Sequence, residues 1–292
     1  MAIYNLGSIN IDYFYQVEHL PAPGETISAI EYMVNLGGKG LNTSVAAQRA
    51  GADVRHVGAV GRDDAVVRRM LAELGVDDTR VVGVEAQTGH AVVYVDAASE
   101  NSIVIFGGAN QAIDETNVRA GLDGAGPGDW LLLQNETNAN ELGLKIAREK
   151  GMKVALVAAP FETGALVDLI GQVDLVSMNR TETAQYEAAL GQAVREVQGP
   201  AFLLTYGAEG SVFIDGESET RVAAFAVDAV DTTAAGDTFF GTFLAQHAAG
   251  AGIKEAMRFA SAAAAVKVTR KGAAKAIPKA EEVRVFLRSV SE

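Results

Sequence analysis

The chain has 292 residues, 49% of them hydrophobic and 21% charged, a balance that sustains a sizeable core. Its formal net charge of −13 argues against a broad basic face for nucleic acid or an acidic membrane, but leaves room for a local pocket around an anionic nucleotide. There is no cysteine, which excludes disulfides and thiolate metal sites. The start Met1-Ala2-Ile3-Tyr4-Asn5-Leu6-Gly7 lacks the pattern of a signal peptide, and no uncharged apolar run reaches ~18 residues, so a soluble cytoplasmic protein is expected.

Ile3 to Leu6 reads as a short buried strand ending at Gly7. After it, Tyr13 to Val34 is interrupted by Pro21-Ala22-Pro23-Gly24 and does not read as a strand–helix unit. A helix is predicted over Thr43 to Ala50, a strand over Val54 to Val60 and a helix over Ala65 to Leu74. Gly89 to Phe106 holds two strand-like runs, Ala91 to Val95 and Ser102 to Phe106, around a turn at Ala97-Ala98-Ser99-Glu100-Asn101. Gly121 to Gly128 is a glycine-rich loop without the strand before and helix after that a dinucleotide fingerprint requires. Strands at Trp130 to Leu133, Val154 to Val157, Leu175-Val176 and Phe202 to Thr205 then alternate with helices over Ala139 to Lys150 and Thr181 to Leu190. Gly51, Gly75 and Gly151 mark helix ends.

The alternation predicts an α/β fold of three layers, αβα, with a central, mainly parallel sheet covered on both faces in a single domain over 1–292. Segments 13–34 and 88–107 read as a small β-sheet lid over a site. The other reading makes them edge strands of the main sheet.

Chemistry concentrates in two segments. Asp231-Thr232-Thr233-Ala234-Ala235-Gly236-Asp237-Thr238-Phe239 sets two carboxylates around small residues at the start of a helical pattern. A helix start offers free N–H groups to an anion such as phosphate, and an Asp beside that anion can act as a base. Asn35-Leu36-Gly37-Gly38-Lys39-Gly40-Leu41-Asn42 combines three glycines with donors from Lys39 and Asn42, which suits a polyhydroxyl ligand. The alternative is a helix cap with a turn glycine. It lacks the spacing of a Walker loop. Asn10 and Asp12, two apart on an extended segment, face one side and can clamp hydroxyls, or else are turn formers. Gln134-Asn135-Glu136, Asn179-Arg180-Thr181-Glu182 and Thr205-Tyr206-Gly207-Ala208-Glu209-Gly210 each place polar or glycine residues at the carboxyl end of a strand, where ligands of parallel sheets collect.

With Pro23-Gly24-Glu25-Thr26 and Gly108-Ala109-Asn110, these segments make the chain resemble the ribokinase family, the PfkB carbohydrate kinases, from Gly7-Ser8-Ile9-Asn10 to Thr269-Arg270-Lys271-Gly272-Ala273. The resemblance implies an ATP-dependent sugar kinase acting on a primary hydroxyl of a pentose, with D-ribose first. Fructose, deoxyribose or a nucleoside are other acceptors, and a non-catalytic sugar-binding relative is the reading from another class. It implies Asp237 as base; Ala234, Ala235 and Gly236 as anion hole; and Asn10, Asp12, Gly38, Lys39, Asn42 and Glu136 around the sugar. It implies Asn179, Thr205, Gly207 and Gly210 for ATP, and Glu182 acting on Mg²⁺ through water. Potassium is expected at Asp231, Thr233, Lys267, Arg270 and Gly272, mostly through backbone, and a homodimer through the lid. The chain departs from the family pattern at Arg180 (usually Glu), Ala276 (usually Ser), Val157-Ala158-Ala159-Pro160 (no Asn-Pro) and Leu41 (usually smaller).

Overall fold

The computed structural model describes residues 1–98 and 100–290. In chain order the first half runs β1 (Ile3–Leu6), β2 (Asn10–Gln16), β3 (Glu31–Gly37), α1 (Lys39–Arg49), β4 (Val54–Gly61), α2 (Ala65–Leu74), β5 (Val81–Val84), β6 (Gly89–Val95), β7 (Asn101–Phe106) and α3 (Glu115–Gly121). The second half runs β8 (Trp130–Gln134), α4 (Asn140–Glu149), β9 (Lys153–Val157), α5 (Ala165–Ile170), β10 (Leu175–Asn179), α6 (Arg180–Leu190), β11 (Ala201–Thr205), β12 (Ser211–Asp215), β13 (Ser218–Val222), α7 (Ala235–Ala248), α8 (Ile253–Val268) and α9 (Ala280–Ser289).

Nine strands form the main sheet in the order β13-β12-β11-β10-β9-β8-β1-β4-β5. Every pair from β11 to β5 is parallel, and β12 alone runs the other way, antiparallel to both β11 and β13. Apolar strands covered on both faces produce three layers. On one face Val118, Leu144, Ile146, Leu169 and Tyr186 from α3 to α6 pack on Leu6, Leu131 and Leu133. On the other, Ala47, Phe239, Phe243, Leu244 and Met257 from α1, α7 and α8 pack on Ile3, Leu132 and Leu203. The chain leaves β1 toward β4 on one side and later returns through β8 on the other. The strand order therefore reverses between β1 and β8, and a crevice opens at their carboxyl ends.

The other four strands form a separate sheet, β3-β2-β6-β7, so the edge-strand reading does not hold. It begins at Asn10, three residues before the expected boundary, because Asn10 already pairs with Gly37 and Gly89. Its central pair β2–β6 is parallel, while both outer pairs are antiparallel. Ser99, in the expected turn, lies outside the described residues.

Helix ends follow the glycine signals. Gly75 caps α2 at φ 78°, and Gly51 and Gly151 follow α1 and α4 with φ of 105° and 70°. Helix α1 begins four residues before its predicted start: Gly38 is its N-cap at φ 93°, so Lys39 and Asn42 lie in its first turn. No helix among the described residues is long and apolar enough to cross a membrane.

Candidate active site

The connection from β1 to β2, the start of α1 and the end of β8 are locked together at the crevice. Asn5, buried in the middle of β1, donates to the Gly40 carbonyl at 2.7 Å and to Ser44 Oγ at 2.8 Å, and accepts from Gln134 Nε2 at 2.8 Å. Gly40 is required here: a Cβ would collide with Ser8 N and the Gly7 backbone. Glu136, just past β8, accepts from the Lys39 N–H at 2.9 Å and from Ser8 Oγ in a short bond. The positive end of α1 thus holds one carboxylate in the crevice.

Asp12 and Asn10 project from β2. The Asp12 carboxylate lies over Gly37, where any side chain would displace it. Burial, with the charge of Glu136 added, pushes Asp12 up to about 7. Asn10 Oδ1 accepts from Asn110 Nδ2 at 2.8 Å, and Asn110 also bonds the Ile9 backbone through both amide atoms. Asn110 is a residue that sequence reasoning left without a role; its only signal was the quoted Gly108-Ala109-Asn110. Ser8, which bonds Glu136, was likewise missed.

Asp237 enters from the opposite layer, in the first turn of α7. It is 7% exposed and its Oδ2 accepts from Asn42 Nδ2 at 2.9 Å. Burial pushes its carboxyl above the ordinary value, opposed mainly by Lys39 and the Asn42 hydrogen bond. For Lys39, burial acts to lower the ammonium, but Asp237, Glu136 and Glu182 outweigh it and the net shift is upward. Burial also raises Glu182, against the Asn179 N–H and Lys39. One lysine therefore faces three carboxylates from β8, α6 and α7.

Ala234, N-cap of α7, sits at φ 58°, the one non-glycine residue at positive φ among the described residues. The Ala235 N–H donates to the Thr232 carbonyl at 3.1 Å, whereas the N–H groups of Ala234, Gly236 and Asp237 have no acceptor among the described residues. A Cβ on Gly236 would meet open space, so the approach to these donors is clear. The arrangement can hold a tetrahedral anion beside a buried carboxylate.

The residues expected at the nucleotide lie further along the same sheet edge. Asn179 at the end of β10 pairs with Thr205 at the end of β11. Asn179 and Glu182 form a reciprocal cap on α6, with bonds of 2.9 and 2.8 Å. Gly207 is at φ 60° with open space at its Cβ position, while Gly210 is packed against Val222. Arg180 lies over the Tyr206 ring, 5.0 Å from the centroid, and pairs with Glu209 at 2.5 Å. No group of three or more His, Asp or Glu side chains among the described residues forms a metal cluster.

A monovalent cation does not fit beside Asp231. The Asp231 carbonyl accepts from the Lys267 ammonium at 2.8 Å, Oδ1 from the Thr233 N–H at 2.8 Å and Oδ2 from the Gly272 N–H at 2.8 Å. Burial acts to raise Asp231, but these hydrogen bonds and Lys267 bring it below the ordinary carboxylate value. The Lys267 carbonyl accepts from Thr269 and Arg270, and the Arg270 guanidinium pairs with Glu282 at 2.6 Å. Ala276 is buried and brings no hydroxyl. Of the expected set of Asp231, Thr233, Lys267, Arg270 and Gly272, the Asp231 carbonyl already holds the Lys267 ammonium. A second cation would share Asp231 with an ammonium already beside it.

The model of the pfkB family carbohydrate kinases matches residues 3–280. The chain is 37% identical to a ribokinase of Haemophilus influenzae over 97% of each chain. It is 28% identical to a deoxyribokinase of Salmonella typhi over 98% of this chain and 99% of that one. A solved structure of Arabidopsis thaliana ribokinase, complexed with ribose and ATP, superposes with a TM-score of 0.86 at 32% identity, covering 99% of each chain. The chain belongs to the pfkB family and is a carbohydrate kinase of the ribokinase type.

Proposed function

We propose that this sugar kinase transfers the γ-phosphate of ATP to the primary hydroxyl of a pentose, D-ribose before others, with Asp237 as general base. The observation that carries the reading is the placement of Asp237. It is buried at the start of α7, fixed by Asn42, and its own N–H and that of Gly236 have no acceptor among the described residues. Asp12, Asn10 and Glu136 hold sugar hydroxyls across the crevice from it. The hydroxyl oxygen forms a bond to the γ-phosphorus, the bond to the bridging oxygen breaks, ADP leaves, and the proton passes to Asp237. The N–H groups at 234–237 receive the charge on the equatorial oxygens. Thr205, Gly207 and Gly210 border the nucleotide, and Asn179 caps the adjoining α6. Mg²⁺ bound with the nucleotide would supply charge neutralisation at the phosphates, and Glu182 would be the residue that holds it, through water.

Similarity to a ribokinase and, more distantly, to a deoxyribokinase makes deoxyribose the second acceptor to test. A homodimer through the lid belongs to the same reading, because Ile103, Val104, Ile105 and Phe106 of β7 are all exposed. ADP release measured with ribose, deoxyribose, fructose and nucleosides tests the function. Turnover with ribose is expected to lead, and a protein that releases ADP with none of them is no kinase of these acceptors.

A further inference from the structure

We propose that the Lys267 ammonium serves as the site's own cation: a tethered positive charge that fixes the loop ahead of the anion hole, so that the enzyme needs no monovalent ion. The inference rests on the reading of residues 234–237 as the phosphate cradle.

Lys267 stands in the last turn of α8 and is 0% exposed. Lysine is almost never in that state without a partner, because an unpaired buried ammonium is costly. Its hydrogen bond goes to the Asp231 carbonyl at 2.8 Å, and its ion pair is with Asp231 Oδ1 at 3.8 Å. The helix end favours a cation at this place. With no exposure, the charge does nothing for solubility, and the proposed reaction assigns it no proton to move.

What it does reach is the loop. Every polar group of Asp231 is held: its N–H by the Val268 carbonyl at 3.0 Å, its carbonyl by Lys267, and its two carboxylate oxygens by Thr233 and Gly272. Three residues later Ala234 takes the left-handed conformation, one that only surrounding restraint maintains in a residue with a Cβ. Lys267 supplies part of that restraint through the Asp231 carbonyl. A neighbouring turn is treated alike: the carbonyls of Ala274, Lys275 and Ile277 all accept from the Arg49 guanidinium. Both turns that present carbonyl oxygens here are thus capped by cations of the chain itself. Lys267 is a positioning residue, acting through Asp231 and the loop.

The test measures turnover and melting temperature in a buffer free of alkali cations and ammonium, then with potassium or ammonium added at constant ionic strength. Neither quantity of the wild type is expected to change. Lys267→Ala, which leaves space, is expected to lose roughly 10–100-fold in turnover, the range for groups that orient a functional set. Potassium or ammonium should restore it and raise its melting temperature, as a ligand of the folded state must. Lys267→Met, which fills the space without charge, should lose as much and not be restored. Activation or stabilisation of the wild type by potassium overturns the proposal. So does either variant turning over at the wild-type rate, or a folded Lys267→Ala that neither ion restores. If Lys267→Ala does not fold, the wild-type response to potassium decides. Inactivity of the wild type with every sugar would break the kinase reading instead, and the potassium dependence of its melting temperature would still judge Lys267.

Discussion

In the nine-stranded sheet, β1 and β8 are buried along their whole length. In the four-stranded sheet, β2 is half-buried beyond Asn10, and β3 and β7 turn Tyr32, Met33, Ile103 and Val104 toward solvent. The first sheet is covered by helices on both faces. The second is covered only at its base, where Leu36 packs with Leu41, Val67 and Leu71, and a small sheet so little covered is marginal by itself. The body brings Asp237, Glu136 and Glu182 to the crevice around Lys39, and the smaller sheet brings Asp12. The difference separates two jobs. Asp237 comes from packed layers, while Asp12 comes from a sheet whose outer strands are exposed.

The hardest way to break this division is at Asp237. Asp237→Asn keeps the volume and a contact with Asn42, and should lower kcat by ~10²–10⁴-fold while the fold is retained. Steady-state turnover with a matching circular dichroism spectrum checks it; turnover near the wild-type rate would move the base elsewhere. Next is the body's close packing. Gly40→Ala drives a Cβ into Ser8 N and Gly7, a collision expected to cost about 1–3 kcal/mol of stability. Thermal denaturation reads it, and an unchanged melting temperature would show that the β1–α1 junction yields.

The lid should respond in a different currency. Asp12→Ala removes a charged acceptor from the sugar side and is predicted to raise the sugar KM by about 10-fold or more, on the scale of a charged hydrogen bond, with the ATP KM little changed. Equal losses for both substrates would place Asp12 outside the sugar clamp. On the outer surface, Ile105→Glu is predicted to shift a lid-mediated dimer to monomer in light scattering. A wild type that is already monomeric removes that interface.

How much of this was legible in the sequence follows from what each signal depends on. β1, β8 and the glycine-marked helix ends were readable because short apolar runs and left-handed caps are local properties. The extent of α1 was not: Gly37-Gly38-Lys39-Gly40 looks like a loop in isolation, and it is the contact with Ser8 and Glu136 that makes Lys39 a first-turn residue. Helix α8 escaped because its second half is alanine-rich and mostly buried from Ala260 to Lys267, so that stretch carries little amphipathic period. The β12–β13 hairpin was missed, and its outer strand is largely exposed. At the candidate site, Asp237, Asn42 and Glu136 were singled out from residue type and position, and the fold brings them to one crevice. The sense of Lys267 was not found, since sequence gave it a backbone role and only packing shows the side chain pointing at Asp231.

The finest comparison between lid and body is electrostatic. Asp12 is raised from 3.8 to about 7, chiefly by burial. In the unfolded chain it loses its proton near the lower value, and in the folded protein near the higher one. Between the two the folded state binds more protons, so this group's contribution to stability is full below 3.8 and declines as pH rises toward about 7. Asp237 and Glu182 are shifted in the same direction. Asp231 is lowered, so its contribution is present above its unfolded value and lost in acid. Wild-type stability mixes these slopes, but Asp12→Asn removes one of them alone. The melting temperature of the ligand-free wild type, taken relative to the variant, should therefore fall by a few degrees between pH 4 and pH 7. Parallel curves would mean that the lid does not bury Asp12 in solution. The crevice would then be open on the lid side, and only the body would hold its carboxylates in place.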